Sequence, residues 1–300
     1  MEHGISGFEM LPPSVIASLL SMVAFLTVMG WWGYATTYKV GPLTVPGPRP
    51  LTLASGLCVA VIIATTTLAY TFTGVSIVFM MLLMRGGVLI LAPIVDALAK
   101  RSVRWFSWVA VGLSLAALVV AFSESSGWEL KTIAIVDVTA YLGAYFFRLR
   151  IMSSKAKSDD ATQNLSYFVE EQLVGTPAIL TILALGALFA PGEIGDSLTA
   201  GFTTFWTDQS VVPQVLLIGL FSQFTGVFGG LILLGPRENA FCVPVNRSSS
   251  ILAGLVASLV LTVWLGERAV SAHQLVGAGL VLCAILFLSI PPLLEKRRAA

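Results

Sequence analysis

Nine runs of mostly apolar residues follow one another along the chain: Ser14–Tyr38, Leu51–Thr71, Val75–Leu98, Trp105–Phe122, Thr132–Ile151, Phe168–Ala190, Val212–Leu234, Ala240–Leu265 and Ala272–Pro292. A helix that crosses a bilayer needs roughly 20 apolar residues at about 1.5 Å of rise each. Each run therefore predicts one spanning helix. The breaks between them are short and polar. Gly41–Pro48 reads Gly-Pro-Leu-Thr-Val-Pro-Gly-Pro and cannot continue a helix, while Gly74 marks a tight turn. The longest break, Pro191–Val211, is acidic, contains Trp206 and is expected to lie along the membrane surface.

Composition turns this pattern into a fold class. Of 300 residues, 56% are hydrophobic and only 11% charged, whereas soluble domains carry about 25% charged residues. The outer surface must therefore face lipid, and the expected fold is an all-α integral membrane protein. A net charge of +1, with no basic patch, excludes a nucleic-acid partner. Cys58, Cys242 and Cys283 lie inside apolar runs without CxxC spacing, so they read as packing residues, with no metal or cofactor expected. The first charges are Glu2 and Glu9, not a basic leader, so the first run is expected to be retained as a helix.

Cations set the orientation. With the N-terminus outside and the C-terminus cytoplasmic, Lys39, Arg49, Lys100, Arg101, Arg104, Arg148, Arg150, Lys155, Lys157, Arg237, Lys296, Arg297 and Arg298 fall inside. Outer segments then hold only Lys131 and Arg268, and Arg85 and Arg247 fall within helices. Two segments also align without gaps: Val109-Ala-Val-Gly-Leu-Ser-Leu-Ala-Ala-Leu118 and Val276-Gly-Ala-Gly-Leu-Val-Leu-Cys-Ala-Ile285. Each follows a charged turn, and each turn follows a helix with an embedded arginine, Arg85 or Arg247. The two turns fall on opposite sides of the membrane, so an inverted repeat is expected.

The chain resembles the drug/metabolite transporter superfamily, in its EamA-like and nucleotide-sugar-transporter-like group. The resemblance rests on Leu83-Met-Arg-Gly-Gly-Val-Leu-Ile-Leu-Ala-Pro, on Asn246-Arg-Ser-Ser-Ser-Ile-Leu leading to Trp264-Leu-Gly-Glu-Arg268, and on Gly277-Ala-Gly-Leu-Val-Leu. It implies ten helices in two inverted five-helix repeats. Here residues 1–130 hold four helices and residues 131–300 hold five, which reads as that arrangement lacking its first helix.

Candidate chemistry sits where charge meets apolar sequence. Arg85 lies midway along its helix, where an arginine costs roughly 2.5–3.5 kcal/mol on insertion scales and must face protein or water. It is either a substrate anchor or a structural residue fixed by Asp137 or by backbone carbonyls. Arg247, beside Asn246 and after Pro244, is either the second half's contribution to the site or an interfacial residue. Asp137 has Tyr141 four residues on and Tyr145 eight residues on, all on one face. An embedded carboxylate there either carries a coupling proton, holds a cationic substrate or forms a buried ion pair with Arg85. Glu170 and Glu171 begin a helix on the cytoplasmic side. They serve there either as helix-dipole acids or, paired with Arg247, as an inner gate. Asp96 and Lys100, four apart, read as a local surface pair, and His273 as a solvated interfacial residue.

Catalytic motifs, nucleophile–base pairs and nucleotide-binding loops are lacking, so no enzyme is expected. The expected function is a secondary transporter or exporter of a small polar or amphipathic metabolite working by alternating access. Arg85, Asp137, Tyr141, Asn246 and Arg247 would bind substrate, with Glu170 and Glu171 gating. The alternative is a non-transporting membrane scaffold or accessory subunit that binds a partner or lipid. Lipid and a small solute are the expected partners, with a homodimer left open. The expected location is the cell (inner) membrane, an organelle membrane being equally compatible.

Overall fold

A computed structural model describes residues 6–69, 77–123, 132–265, 275–277, 279–280, 282–288 and 290. Gly74, Lys131, Glu267, Arg268, His273, Lys296, Arg297 and Arg298 lie outside the described residues. The helices are α1 (Gly7–Val28), α2 (Pro50–Ala69), α3 (Ile77–Leu98), α4 (Trp105–Ser123), α5 (Thr132–Lys155), α6 (Ala161–Phe189), α7 (Glu193–Phe202), α8 (Val212–Leu233) and α9 (Asn239–Leu265). A further apolar helix, α10, occupies Leu275–Leu288. Four of these, α1, α2, α6 and α8, are long and apolar enough to cross a membrane.

Polarity is reversed relative to a water-soluble protein. Val28, Leu188, Phe189, Val263 and Trp264 are each at least 74% exposed, while Asp96, Asp137, Glu170 and Glu171 are at most 5% exposed. Large apolar surface facing outward and charge facing inward is the distribution that lipid demands.

The first run is not one helix. Helix α1 starts on a Ser6 cap, whose Oγ accepts from Glu9 N at 3.2 Å. It stops at Val28, and Gly30 takes the left-handed conformation (φ 66°) that closes many helices. A 3-10 turn (Trp31–Tyr34) follows, and then an antiparallel hairpin of β1 (Thr36–Val40) and β2 (Leu43–Gly47) with Thr36 opposite Gly47 and Val40 opposite Leu43. Thr36, Thr37 and Val40 are β-branched residues suited to a strand. Gly41 supplies the positive φ (63°) that the two-residue turn requires. The hairpin is a small addition to a chain whose described elements are otherwise helical, in keeping with the all-α expectation. The linker after α6 likewise holds α7, which packs on α1 and α6.

The chain divides into two compact units, and each draws on both halves of the sequence. The first comprises Met1–Ala64 and Ser158–Leu231. Small residues let its helices approach closely. Gly56 of α2 faces Val174 of α6, and Gly175 of α6 faces Val59 of α2. Gly219 of α8 lies against the Ser14 carbonyl, and Ser18 Oγ donates to Gly219 O at 2.8 Å. Pro13 has no N–H for the Glu9 carbonyl, and Gly201 of α7 packs against that carbonyl and Pro12. Val15, Ala60, Ile179, Leu183 and Leu198 form the apolar centre.

The second unit comprises Thr65–Lys157 and Ile232–Ala300. Phe106 and Ala110 of α4 pack on Ala284 and Leu288 of α10, and Gly277 lies opposite Ala117 O, so α4 and α10 run antiparallel. Helices α3 and α9 are antiparallel too, because the end of α3 caps the start of α9. Asp96 Oδ1 accepts from Asn239 N at 2.8 Å and Oδ2 accepts from Ala240 N at 2.7 Å. Asp96 is fully buried and thus serves α9, not a surface pair with Lys100.

Candidate functional site

Arg85, Asp137, Tyr141, Asn246 and Arg247 all fall within the second unit, on α3, α5 and α9. The spacing of Tyr141 and Tyr145 stacks them on one face of α5, with ring centroids 4.8 Å apart. Arg247 of α9 reaches across so that its guanidinium carbon stands 4.9 Å from the centre of the Tyr145 ring. It also donates a hydrogen bond to the Tyr145 hydroxyl, which is joined by another to Tyr141. This combination of cation–π contact and hydrogen bond holds a guanidinium among apolar helices. The charge of Arg85 acts on Tyr141 and that of Arg148 on Tyr145. Asn246 is half-buried beside Arg247, and its backbone oxygen accepts from Ser249 Oγ at 2.8 Å.

Asp137 stands one turn before Tyr141 and is 5% exposed. Among the described residues neither of its carboxylate oxygens has a hydrogen-bond partner. The fixed Asp137–Arg85 pair is therefore not made. Gly87, two residues beyond Arg85, leaves room for Leu142 of α5, and this close approach brings α3 against α5 at the level of the two tyrosines.

Glu170 and Glu171 belong to the first unit. Helix α6 begins at Ala161 on an Asp160 cap, whose Oδ1 accepts from Thr162 N at 2.9 Å, so the two glutamates stand well inside it. Glu170 is fully buried and pairs with Arg49, whose Nε donates at 3.0 Å to Oε2. The Arg49 backbone N–H donates to the same oxygen at 3.0 Å, Thr52 Oγ1 donates to it as well, and Thr36 Oγ1 donates to Oε1 at 2.7 Å. One carboxylate thus ties the hairpin and the start of α2 to α6. Glu171 Oε1 accepts from Ser55 Oγ at 2.6 Å, and Ser55 is bonded to Tyr167. Arg49 carries no local sign of this role, since its partner is 121 residues away.

A second set of buried polar groups braces one end of the second unit. Lys157 lies beyond α5, is 3% exposed and donates from Nζ to Leu233 O at 2.7 Å. Burial pushes its ammonium below the usual lysine range. Arg101 donates to the backbone oxygens of Ser153, Lys157 and Pro236. Ser107 Oγ donates to Glu238 Oε1 at 2.8 Å. These groups tie the loop after α3 and the ends of α4 and α5 to the segment leading into α9.

No protein-family model and no curated protein matches the chain. A solved crystal structure, described only as that of a protein, covers 99% of this chain and 91% of its own length, with a TM-score of 0.59 and 13% identity. That likeness carries the fold alone.

Proposed function

We propose that the chain is a secondary transporter that moves a small polar or amphipathic metabolite across a membrane by alternating access. The observation that carries this reading is the polar cluster of Arg247, Tyr145, Tyr141 and Arg85 within an apolar unit, with Asp137, one helical turn before Tyr141, bearing a carboxylate that has no hydrogen-bond partner among the described residues. Charge kept inside a membrane unit is expensive, and a solute path is the usual reason to retain it. Arg247 and Arg85 are the donors for an acidic or carbonyl group on the solute, Asn246 adds an amide, and the tyrosine faces take its apolar part.

The helix arrangement supports the same reading. The aligned segments 109–118 and 276–285 lie on α4 and α10, which run antiparallel, and the arginine-bearing helices α3 and α9 are also antiparallel. An inverted repeat requires both relations. In this reading nine helices span the membrane, with the N-terminus outside. The Glu170 clamp, with Glu171 beside it, is a latch that holds the first unit closed at its cytoplasmic end.

Purified protein is screened for thermal stabilisation by amino acids, sugars, nucleotides and organic acids, because a solute that binds the folded state raises its melting temperature. Uptake of the best binder into proteoliposomes follows. Arg85→Ala should reach the membrane in normal amount and lose uptake. Unchanged uptake in that variant would remove the proposed site.

A further inference from the structure

Helix α5 carries a line of polar side chains along one buried face. Asp137, Tyr141, Tyr145 and Arg148 follow one another at spacings of four, four and three residues, the spacing of a single helix face, and are 5%, 4%, 7% and 7% exposed. At 1.5 Å per residue the line is about 16 Å long, roughly half the hydrocarbon thickness of a bilayer. Three of the four are engaged. The tyrosines meet each other and Arg247, and Arg148 lies near enough for its charge to act on Tyr145.

Asp137 is the exception. The charged and titratable groups facing the tyrosine end of this stretch are Arg85 from α3, Arg247 from α9 and Arg148 on α5 itself, and the groups on the same face of α5 as Asp137 are Tyr141, Tyr145 and Arg148. Among the described residues none of them hydrogen-bonds to the Asp137 carboxyl group. An ionised carboxylate so placed is far costlier than the neutral acid, because the charged form forfeits its hydration without gaining a partner. A carboxyl group kept for folding would be bonded, as Asp96 and Glu170 are.

We propose that Asp137 is the proton-binding group of the transporter. It is loaded as the neutral acid in the arrangement described here and releases its proton to water when the solute path opens to it. The step is a simple proton exchange: the carboxylate oxygen forms an O–H bond with a proton taken from water on one side and gives that proton back on the other, with no change in oxidation state. The proposal deepens the transport reading and rests on it. It makes the driving force a proton gradient.

The test needs no solute. Infrared difference spectra are recorded as a function of pH on the protein in vesicles of phosphatidylethanolamine and phosphatidylglycerol. The unaltered chain should show the carbonyl stretch of a buried protonated carboxylic acid that titrates with pH. Asp208→Asn, at an exposed loop aspartate bonded to Ser210, should keep that band. Asp137→Asn should lose it while folding normally, since the amide mimics the neutral acid, and Asp137→Glu should keep a titrating band at a shifted frequency. A band unchanged in Asp137→Asn overturns the proposal. So does the absence of any such band in the unaltered chain, which also decides the matter if the variants do not fold. Uptake that depends on Arg85 without an Asp137 band removes this inference and leaves the transport reading standing. A titrating Asp137 band in a protein that takes up no solute in the screen removes the transport reading, and the coupling role with it.

Discussion

Glu170 shows what a single residue can do for a membrane unit. Its carboxylate has no exposed surface, yet it accepts from a guanidinium, a backbone N–H and two threonine hydroxyls. Hydrogen bonds to charged groups are worth about 1.5–3 kcal/mol each, and stranded donors cost a similar amount. Glu170→Ala is therefore expected to lower unfolding stability by about 1–3 kcal/mol, read from the denaturation midpoint in detergent. Arg49→Ala should cost less than Glu170→Ala, because the Arg49 side chain is 44% exposed and water already shares its charge. Stability equal to that of the unaltered chain in Glu170→Ala would mean that the clamp contributes nothing. Asp137 is the opposite case, buried to a similar degree with no such donors among the described residues. Replacing it should leave the fold intact and change only what the site does.

At the scale of elements, glycine decides where helices cross. Gly56 and Gly175 meet at the crossing of α2 and α6, each against a valine of the other helix. A larger side chain at either place has to push the helices apart, and such overpacking costs typically about 1–3 kcal/mol. Gly56→Leu is expected to lower the melting temperature and to weaken the Glu170 clamp, one turn away on the same interface. A melting temperature unaltered by Gly56→Leu would show that the crossing is looser than drawn. The apolar helices were legible in the sequence because length and apolarity are local properties. Seven of the nine runs agree with described helices to within about four residues at each end; α6 starts earlier, at Ala161, and α1 runs Gly7–Val28 where the first run is Ser14–Tyr38. The hairpin was not legible. Its residues Thr36 to Tyr38 end an apolar run, and only Gly30 and the β-branched pair hinted at a change of structure. Asp96 was misread for a related reason: spacing offers Lys100 as its partner, but a cap supplied from another helix 143 residues away leaves no local trace. The face shared by Asp137, Tyr141 and Tyr145 follows from helical spacing, whereas the reach of Arg247 to Tyr145 depends on which helices pack together.

At the scale of the whole molecule, the expected site residues Arg85, Asp137, Tyr141, Asn246 and Arg247 share one unit, although they come from sequence positions far apart. Single cysteines at positions 85 and 247 should react with a membrane-impermeant thiol reagent from opposite sides of the membrane in different states. Labelling of both from one side only would speak against alternating access.

The interleaving of the two units also fixes an order of events during synthesis. Arg49 emerges 121 residues before Glu170, a wait of roughly 6–24 s at about 5–20 residues per second. Neither unit holds all its helices until the second half has been made, so the early helices must stay in the membrane with their inward polar groups still uncovered. Cutting the chain in the loop between α5 and α6 should give two pieces that are each degraded when expressed alone. Expressed together, they should assemble into a stable protein. If either piece accumulated as a folded protein by itself, this account of the order would be wrong.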